Sequence, residues 1–162
     1  MSEPLAFLLT FRTYGTWLHG DDRGSVDREH NGPGMPFLAP NVRRVAFETG
    51  RMGFPPLVFD EAIRSIVDAA IVDQCCYRSW DLIERAVRTN HVHVVVGYAG
   101  VPPERVAGEL KSRATRWLRE RGLLAADRPV WADCAGSRRY LWRPAEVAAA
   151  VAYVREGQDV PR

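Results

Sequence analysis

Residues 90–97 have the sequence Asn-His-Val-His-Val-Val-Val-Gly, and this stretch decides the fold of the 162-residue chain. Valine is β-branched and favours strands, so the run predicts a strand of about six to eight residues. Alternate side chains of a strand share a face, which places His91 and His93 on one side and Val92 and Val94 on the other. Two imidazoles on one face can share a metal ion. From this pattern alone, a metal-binding role and a structural or surface role for the two histidines are equally compatible with the sequence.

The hydrophobic patterns on either side of this strand predict the remaining elements. Strands are expected at residues 5–14, 79–88 and 138–142. Helices are expected from Asp60, as a capping residue, to about residue 73, from residue 103 to near residue 122, and from Pro144 onward. The order β-α-β-β-α-β-α predicts a single α+β domain over residues 1–162. Its fold is a ferredoxin-like split βαβ antiparallel sheet with an added C-terminal helix over residues 144–158.

Residues 15–58 form a long insertion after the first strand, with seven glycines and five prolines. A connection of this length inside a compact domain is usually functional or disordered. Its first part leaves the strand that neighbours the histidines, and it contains His19, Asp21, Asp22 and Arg23. Two interpretations stay open for it. Either it borders the site of His91 and His93 and contacts a ligand there or supports a metal, or it is a turn-rich loop capped by aspartate.

The composition restricts the class of protein. A formal net charge of +2 does not establish a nucleic-acid partner, so any basic surface must be argued locally. The three cysteines form no zinc-binding pattern and are typical of reduced, cytoplasmic thiols. The sequence shows neither the basic and apolar regions of a signal peptide nor about 18 consecutive apolar residues. We therefore expect a soluble, cytoplasmic protein with no membrane partner.

The final predicted helix carries an unusual tyrosine. Val147, Val151 and Val154 form its packing stripe, and Tyr153 lies roughly 100–120° away from that stripe at about 100° per residue. A tyrosine off the core face can present its hydroxyl to a ligand or substrate. A rim tyrosine that covers part of the core is the alternative.

Three segments together resemble the single-tyrosine HUH transposases, the small insertion-sequence enzymes and their REP-associated relatives. They are Asn90-His91-Val92-His93 before an apolar strand, Leu110-Lys111-Ser112 in a basic helix, and Ala152-Tyr153-Val154 in the last helix. "HUH" denotes two histidines around a hydrophobic residue, which matches His91-Val92-His93. The resemblance spans residues 5–158.

The resemblance implies a metal-dependent DNA transposase or nickase. His91 and His93 would hold Mg²⁺ or Mn²⁺, which polarises the scissile phosphate. The hydroxyl of Tyr153 would attack the phosphorus and form a covalent 5′-phosphotyrosine. Single-stranded or hairpin DNA is the expected partner, and both a monomer and a homodimer stay open.

The third metal ligand departs from the family pattern. Insertion-sequence members use a glutamine one helical turn after the tyrosine, and this chain has Gly157 there and Gln158 next. A spacing of five residues rotates Gln158 by roughly 140° from Tyr153 on an ideal helix. Gln158 is the predicted ligand. Glu156, a residue of the insertion, or water are the alternatives.

DNA contacts are predicted on two basic segments. Residues 102–122 contain six basic and three acidic residues, which suits phosphate binding but is also typical of a solvated helix face. A second segment mixes arginine with Tyr140 and Trp142, which suits stacking on unpaired bases unless Trp142 is core. The predicted DNA-binding residues are Lys111, Arg113, Arg116, Arg138, Arg139 and Arg23.

Two other functions remain compatible with the sequence. One is a hairpin-binding or single-strand-binding protein that keeps this fold but has lost efficient chemistry. The other is a ferredoxin-like metal-binding protein unrelated to DNA.

Overall fold

The computed structural model describes residues 2–16, 43, 53–133 and 136–156. Within this part of the chain, four strands and three helices follow the predicted order. They are β1 (Ala6–Arg12), α1 (Glu61–Arg78), β2 (Leu82–Val87), β3 (His91–Gly97), α2 (Pro103–Glu120), β4 (Ser137–Leu141) and α3 (Pro144–Glu156). Most of the predicted insertion at residues 15–58 lies outside the described residues.

The four strands form one antiparallel sheet in the order β2-β3-β1-β4. The histidine strand β3 is therefore central, with β1 and β2 on its two sides. Every residue of β3 is buried, which explains why its sequence is almost continuously apolar. The α+β fold with a split βαβ antiparallel sheet is confirmed.

The two faces of the sheet carry different layers. Val92, Val94 and Val96 pack against α1 and α2 in the larger core. We call this side the α1/α2 face. Val95 lies on the other side, in a smaller cluster that includes Ala150 and Val154 of α3. His91 and His93 alternate with the core valines and so share this second side, which we call the histidine face.

The first helix is longer than predicted, and the second strand begins later. Helix α1 has the expected cap, since the Asp60 carboxylate accepts a hydrogen bond of 2.8 Å from the amide of Ile63. It continues past residue 73 because Gln74 and Cys75 extend its buried stripe. Ser79 ends it in a left-handed conformation with a φ of 58°. The chain can therefore enter the sheet only at Leu82.

The last helix begins at Pro144, as predicted. The carboxylate of Glu146 accepts hydrogen bonds from the backbone amides of Trp142 and Arg143, at 2.7 and 3.1 Å. These bonds lower the pKa of Glu146 below its usual value. This is the reciprocal half of a capping box, and it orients the helix at its first turn. Residues 157 and 158 of the predicted helix lie outside the described residues.

Cys75 and Cys76 are both free thiols, and burial raises the pKa of Cys75 to about 11.

In the part of the chain that the structure describes, no helix combines the length and the apolar character needed to cross a membrane.

Candidate active site

The two histidines form a buried pair on the central strand. His91 is 8% exposed and His93 is 2% exposed, on a face of the sheet where α3 packs. Their ring centroids lie 4.7 Å apart at an interplanar angle of 71°. The predicted common face is therefore observed, and the rings are close enough for one ion to meet both.

Each imidazole is oriented through its Nδ1 atom. His91 Nδ1 lies 2.7 Å from Asn90 Oδ1, and His93 Nδ1 lies 2.8 Å from Thr10 Oγ1. An amide oxygen only accepts, so Nδ1 of His91 is the donor, and in the neutral imidazole Nε2 then keeps its lone pair. Thr10 supports the same tautomer of His93 when its hydroxyl accepts. Orientation of this kind, through the far ring nitrogen, is typical of metal-binding histidines.

Tyr153 lies beside this pair. Its ring centroid is 5.3 Å from that of His93, at an interplanar angle of 66°. Tyr153 is 40% exposed, whereas the next residue, Val154, is completely buried among the α3 contacts. The tyrosine is therefore off the packing stripe, and one side of its ring is open to solvent at the histidine face.

Polar contacts of the two residues that follow the tyrosine hold α3 against the end of the sheet at β2. Arg155 Nε donates to Glu84 Oε2 over 2.5 Å. The amide of Arg85 and then the guanidinium of Arg155 hold the pKa of Glu84 below its usual value. Arg88 Nη2 donates to the carbonyl of Val154 over 3.4 Å. The nucleophile candidate therefore belongs to a helix fixed to the same chain's sheet.

Two arginines of the histidine face were missed by the sequence reasoning. Arg12 of β1 is paired with His91 of β3, and the amide of Arg88 donates to the carbonyl of His91 on the other side. Directly paired residues of antiparallel strands share a face. The side chains of Arg12 and Arg88 therefore lie on the same face of the sheet as His91, one on each side of it. The two-residue turn at Thr89-Asn90 could have indicated Arg88, whereas Arg12 depends on a register that the sequence does not show.

The two histidines supply part of the ligand set that a divalent ion needs. Two imidazoles with buried Nε2 atoms lie on one rigid strand, and each has a partner that orients it. Among the residues outside the gaps of the structure, no group of three His, Cys, Asp or Glu side chains could hold a metal. Further ligands would have to come from elsewhere, and Gln158 lies outside the described residues. Glu156 is the last helical residue of α3 and is exposed.

The predicted DNA-binding residues are not all on the histidine face. Lys111, Arg113 and Arg116 belong to α2, on the opposite side of the sheet. There Arg113 forms an ion pair with Asp73 of α1. Arg113 and Arg116 also line an open groove between the two helices, and Lys111 and Arg116 line a second groove next to it.

The β4 arginines lie on different faces. Arg138 forms an ion pair of 3.4 Å with Glu104 of α2, on the α1/α2 face. Arg139 is paired with Leu8, so its side chain is on the histidine face. Arg23, together with His19, Asp21 and Asp22, lies outside the described residues.

Comparisons with known proteins show the family to which the chain belongs. A sequence model described as "Transposase IS200 like" matches residues 56–156, well over half of the chain. No curated protein sequence matches. Among solved structures, a REP-associated tyrosine transposase bound to a REP hairpin is 11% identical. That alignment covers 95% of this chain and 70% of the other, with a TM-score of 0.48. A candidate transposase from Deinococcus radiodurans R1 is 13% identical over 92% of this chain and 88% of the other, with a TM-score of 0.47.

Proposed function

Because the chain belongs to the IS200-like transposase family, we propose that it nicks and rejoins single-stranded DNA, as a transposase or a domesticated relative. The observation that carries this proposal is the position of Tyr153. Its ring lies beside the buried histidine pair, on a helix that the same chain fixes to the sheet. A rim tyrosine with a purely structural role would not require two oriented imidazoles next to it.

In the proposed reaction, the Tyr153 hydroxyl attacks the scissile phosphorus. A bond forms between the tyrosine oxygen and phosphorus, and the bond from phosphorus to the 3′ oxygen breaks. The tyrosine loses its proton, and the leaving oxygen becomes a free 3′-OH. The phosphotyrosine remains a phosphodiester, so the attack of another 3′-OH rejoins the strand and regenerates Tyr153.

The residues around Tyr153 have separate roles in this proposal. A divalent ion, Mg²⁺ or Mn²⁺, held by Nε2 of His91 and His93, would polarise the scissile phosphate and stabilise its developing charge. Asn90 orients the imidazole of His91, and Thr10, with its hydroxyl as acceptor, orients that of His93, so that both offer Nε2. Gln158 stays the predicted third ligand. Arg88 helps to hold the helix of the nucleophile through the carbonyl of Val154.

We propose single-stranded or hairpin DNA as the ligand. The grooves beside α2 are lined by Lys111, Arg113, Arg116 and Arg119, and they offer charge for phosphates on the α1/α2 face. Arg139 offers a charge on the histidine face. Such contacts supply affinity without reading sequence. Binding should therefore weaken steeply as the salt concentration rises.

The test uses a pool of random-sequence single strands and hairpins, labelled at the 3′ end, with Mn²⁺. We expect a covalent adduct on a denaturing gel that carries the 3′ label, because the tyrosine retains the downstream fragment through its 5′ phosphate. Tyr153→Phe should abolish the adduct. Tyr77→Phe is the matched control, since Tyr77 is 71% exposed on α1 and should form the adduct normally.

Other outcomes favour the other functions. DNA binding without any adduct would support a binding protein that has lost its chemistry. Mn²⁺ binding without DNA binding at moderate salt would support a metal-binding protein unrelated to DNA.

A further inference from the structure

Three large aromatic side chains are exposed together at the end of the sheet remote from His91. Tyr98, Tyr140 and Trp142, which we call the aromatic cluster, are 41, 45 and 48% exposed. Tyr98 directly follows β3, and the other two lie on and just after β4. Trp142 is therefore not a core residue. Grouped exposed aromatic rings are typical of binding surfaces.

Ring contacts hold the aromatic cluster in place. Phe7, which is buried in β1, meets Tyr98 and Tyr140 edge to face, with ring centroids at 6.0 and 5.4 Å. Trp142 is nearly parallel to Tyr140, with centroids 6.1 Å apart and an interplanar angle of 15°. The rings are thus fixed before any ligand arrives, which reduces the entropy that binding would cost.

Two exposed arginines are close in sequence to these rings. Arg139 is exposed on β4, and the side chain of Arg143, next to Trp142, is 80% exposed. Glu146 lies 3.6 Å from Arg143 and also accepts hydrogen bonds from two backbone amides of the α3 cap. Its charge is therefore shared with the helix end. Flat rings interleaved with arginines match a chain of bases joined by phosphates.

The aromatic cluster also connects to the tyrosine site. Ser137 of β4 lies in the row of His93, through Thr10 of β1, and Tyr140 lies three residues further along β4. The strand rise and strand spacing place Tyr140 roughly 14 Å from His93. This corresponds to about four stacked nucleotides at 3.4 Å each.

A DNA strand that runs from the tyrosine site to the aromatic cluster has to cross the edge of the sheet. Tyr140 lies on the α1/α2 face with Phe7, whereas the neighbouring Arg139 lies on the histidine face. In the described part of the chain, β4 is an edge strand. A DNA strand that leaves Tyr153 can thus pass Arg139, cross this edge and reach Tyr140 and Trp142.

We propose that the aromatic cluster stacks on unpaired bases of single-stranded DNA, a few nucleotides from the bond that Tyr153 attacks. The choice of DNA as the ligand rests on the proposed function. Base stacking is tolerant of sequence, so this surface adds affinity and direction to the bound strand. Specificity for a target sequence comes from other contacts.

The test measures binding in EDTA, so that no chemistry occurs. The probe is a fluorescent random-sequence single strand, and a strand of the same length without bases is its partner. We expect Trp142→Ala and Tyr140→Ala each to weaken binding of the normal strand about fivefold or more. Binding of the abasic strand should be unchanged. Trp142→Phe should restore most of the affinity. Tyr77→Phe, which changes an exposed tyrosine but keeps its ring beside Arg78 and Arg113, should have no effect.

Two results would overturn this inference. One is unchanged binding of the normal strand in both alanine variants. The other is an equal loss for the normal and abasic strands, because the contribution would then not involve bases. Either result can occur while the Tyr153 adduct still forms, which leaves the proposed function intact. Conversely, base-dependent loss in a protein that forms no adduct would keep the stacking surface and refute the nicking reaction.

Discussion

The hydroxyl of Thr10 orients the ring of His93. A substitution can remove this one contact with almost no change in the shape of the Thr10 side chain. Thr10→Val replaces the hydroxyl, 2.8 Å from Nδ1, by a methyl group. A buried ring nitrogen would lose its partner, and the imidazole could rotate or change tautomer. We expect the affinity for Mn²⁺ to fall about 10- to 100-fold in calorimetric titration.

Thr10→Ser is the control for this prediction, because it keeps the hydroxyl and should bind Mn²⁺ nearly as well as the parent protein. Equal affinities in Thr10→Val and the parent protein would show that His93 is not oriented for a metal.

At this scale the sequence indicated His91, His93 and Tyr153 but not their supporting residues. The alternation of β3 and the helical position of Tyr153 are local patterns, so they can be read along the chain. Thr10 and Arg12 meet the histidines only through the pairing of β1 with β3. The sequence does not show that register.

One of the contacts that hold α3 against β2 is made by a carboxylate whose pKa is low. The amide of Arg85 and the guanidinium of Arg155 both favour the ionised form of Glu84 and depress its pKa in the folded protein. A depressed pKa gives stability that is present above the unfolded value, near the usual 4.5, and lost as the pH falls through the folded value. The contact of α3 with β2 should therefore weaken on acidification.

We predict that the thermal stability of the parent protein falls more steeply below about pH 4.5 than that of Glu84→Gln. The glutamine variant has no charge to lose at this position. Unfolding curves recorded by circular dichroism across this range give the comparison. Parallel pH profiles for the two proteins would show that the Arg155–Glu84 contact has no role in stability.

The elements themselves were largely predictable, and their ends were not. The cap at Asp60 and the proline at the start of α3 are local signals, and both are confirmed. The end of α1 was placed too early because burial of Gln74 and Cys75 depends on tertiary packing. For the same reason, the predicted start of β2 at residue 79 falls on the left-handed residue that ends α1.

For the whole molecule, the important fact is that one chain supplies both parts of the site. The histidines of β3 and the tyrosine of α3 meet within the same chain, through the packing of Val154 and Ala150 on the sheet. If nicking requires both parts, a protein that lacks either should be inactive. Mixing two such proteins should restore nothing.

We therefore predict that equal amounts of His93→Ala and Tyr153→Phe, incubated together with the DNA pool, form no adduct above that of either variant alone. A gel of labelled DNA measures this directly. Recovery of a substantial share of the activity would show that α3 can be exchanged between chains, and hence that a homodimer carries out the reaction.

Fold class was predictable at this scale because the order of strands and helices leaves few topologies once the sheet is antiparallel. The distribution of charge over the two faces was not. Lys111, Arg113 and Arg116 were predicted as DNA contacts, and the packing of α2 on α1 places them across the sheet from His91.

Mass spectrometry of the protease-digested adduct tests most directly whether Tyr153 is the nucleophile. We expect a peptide containing Tyr153 that carries a nucleotide through its 5′ phosphate. A nucleotide on Tyr98 or Tyr140 would contradict it. So would a cut DNA strand with no tyrosine modified.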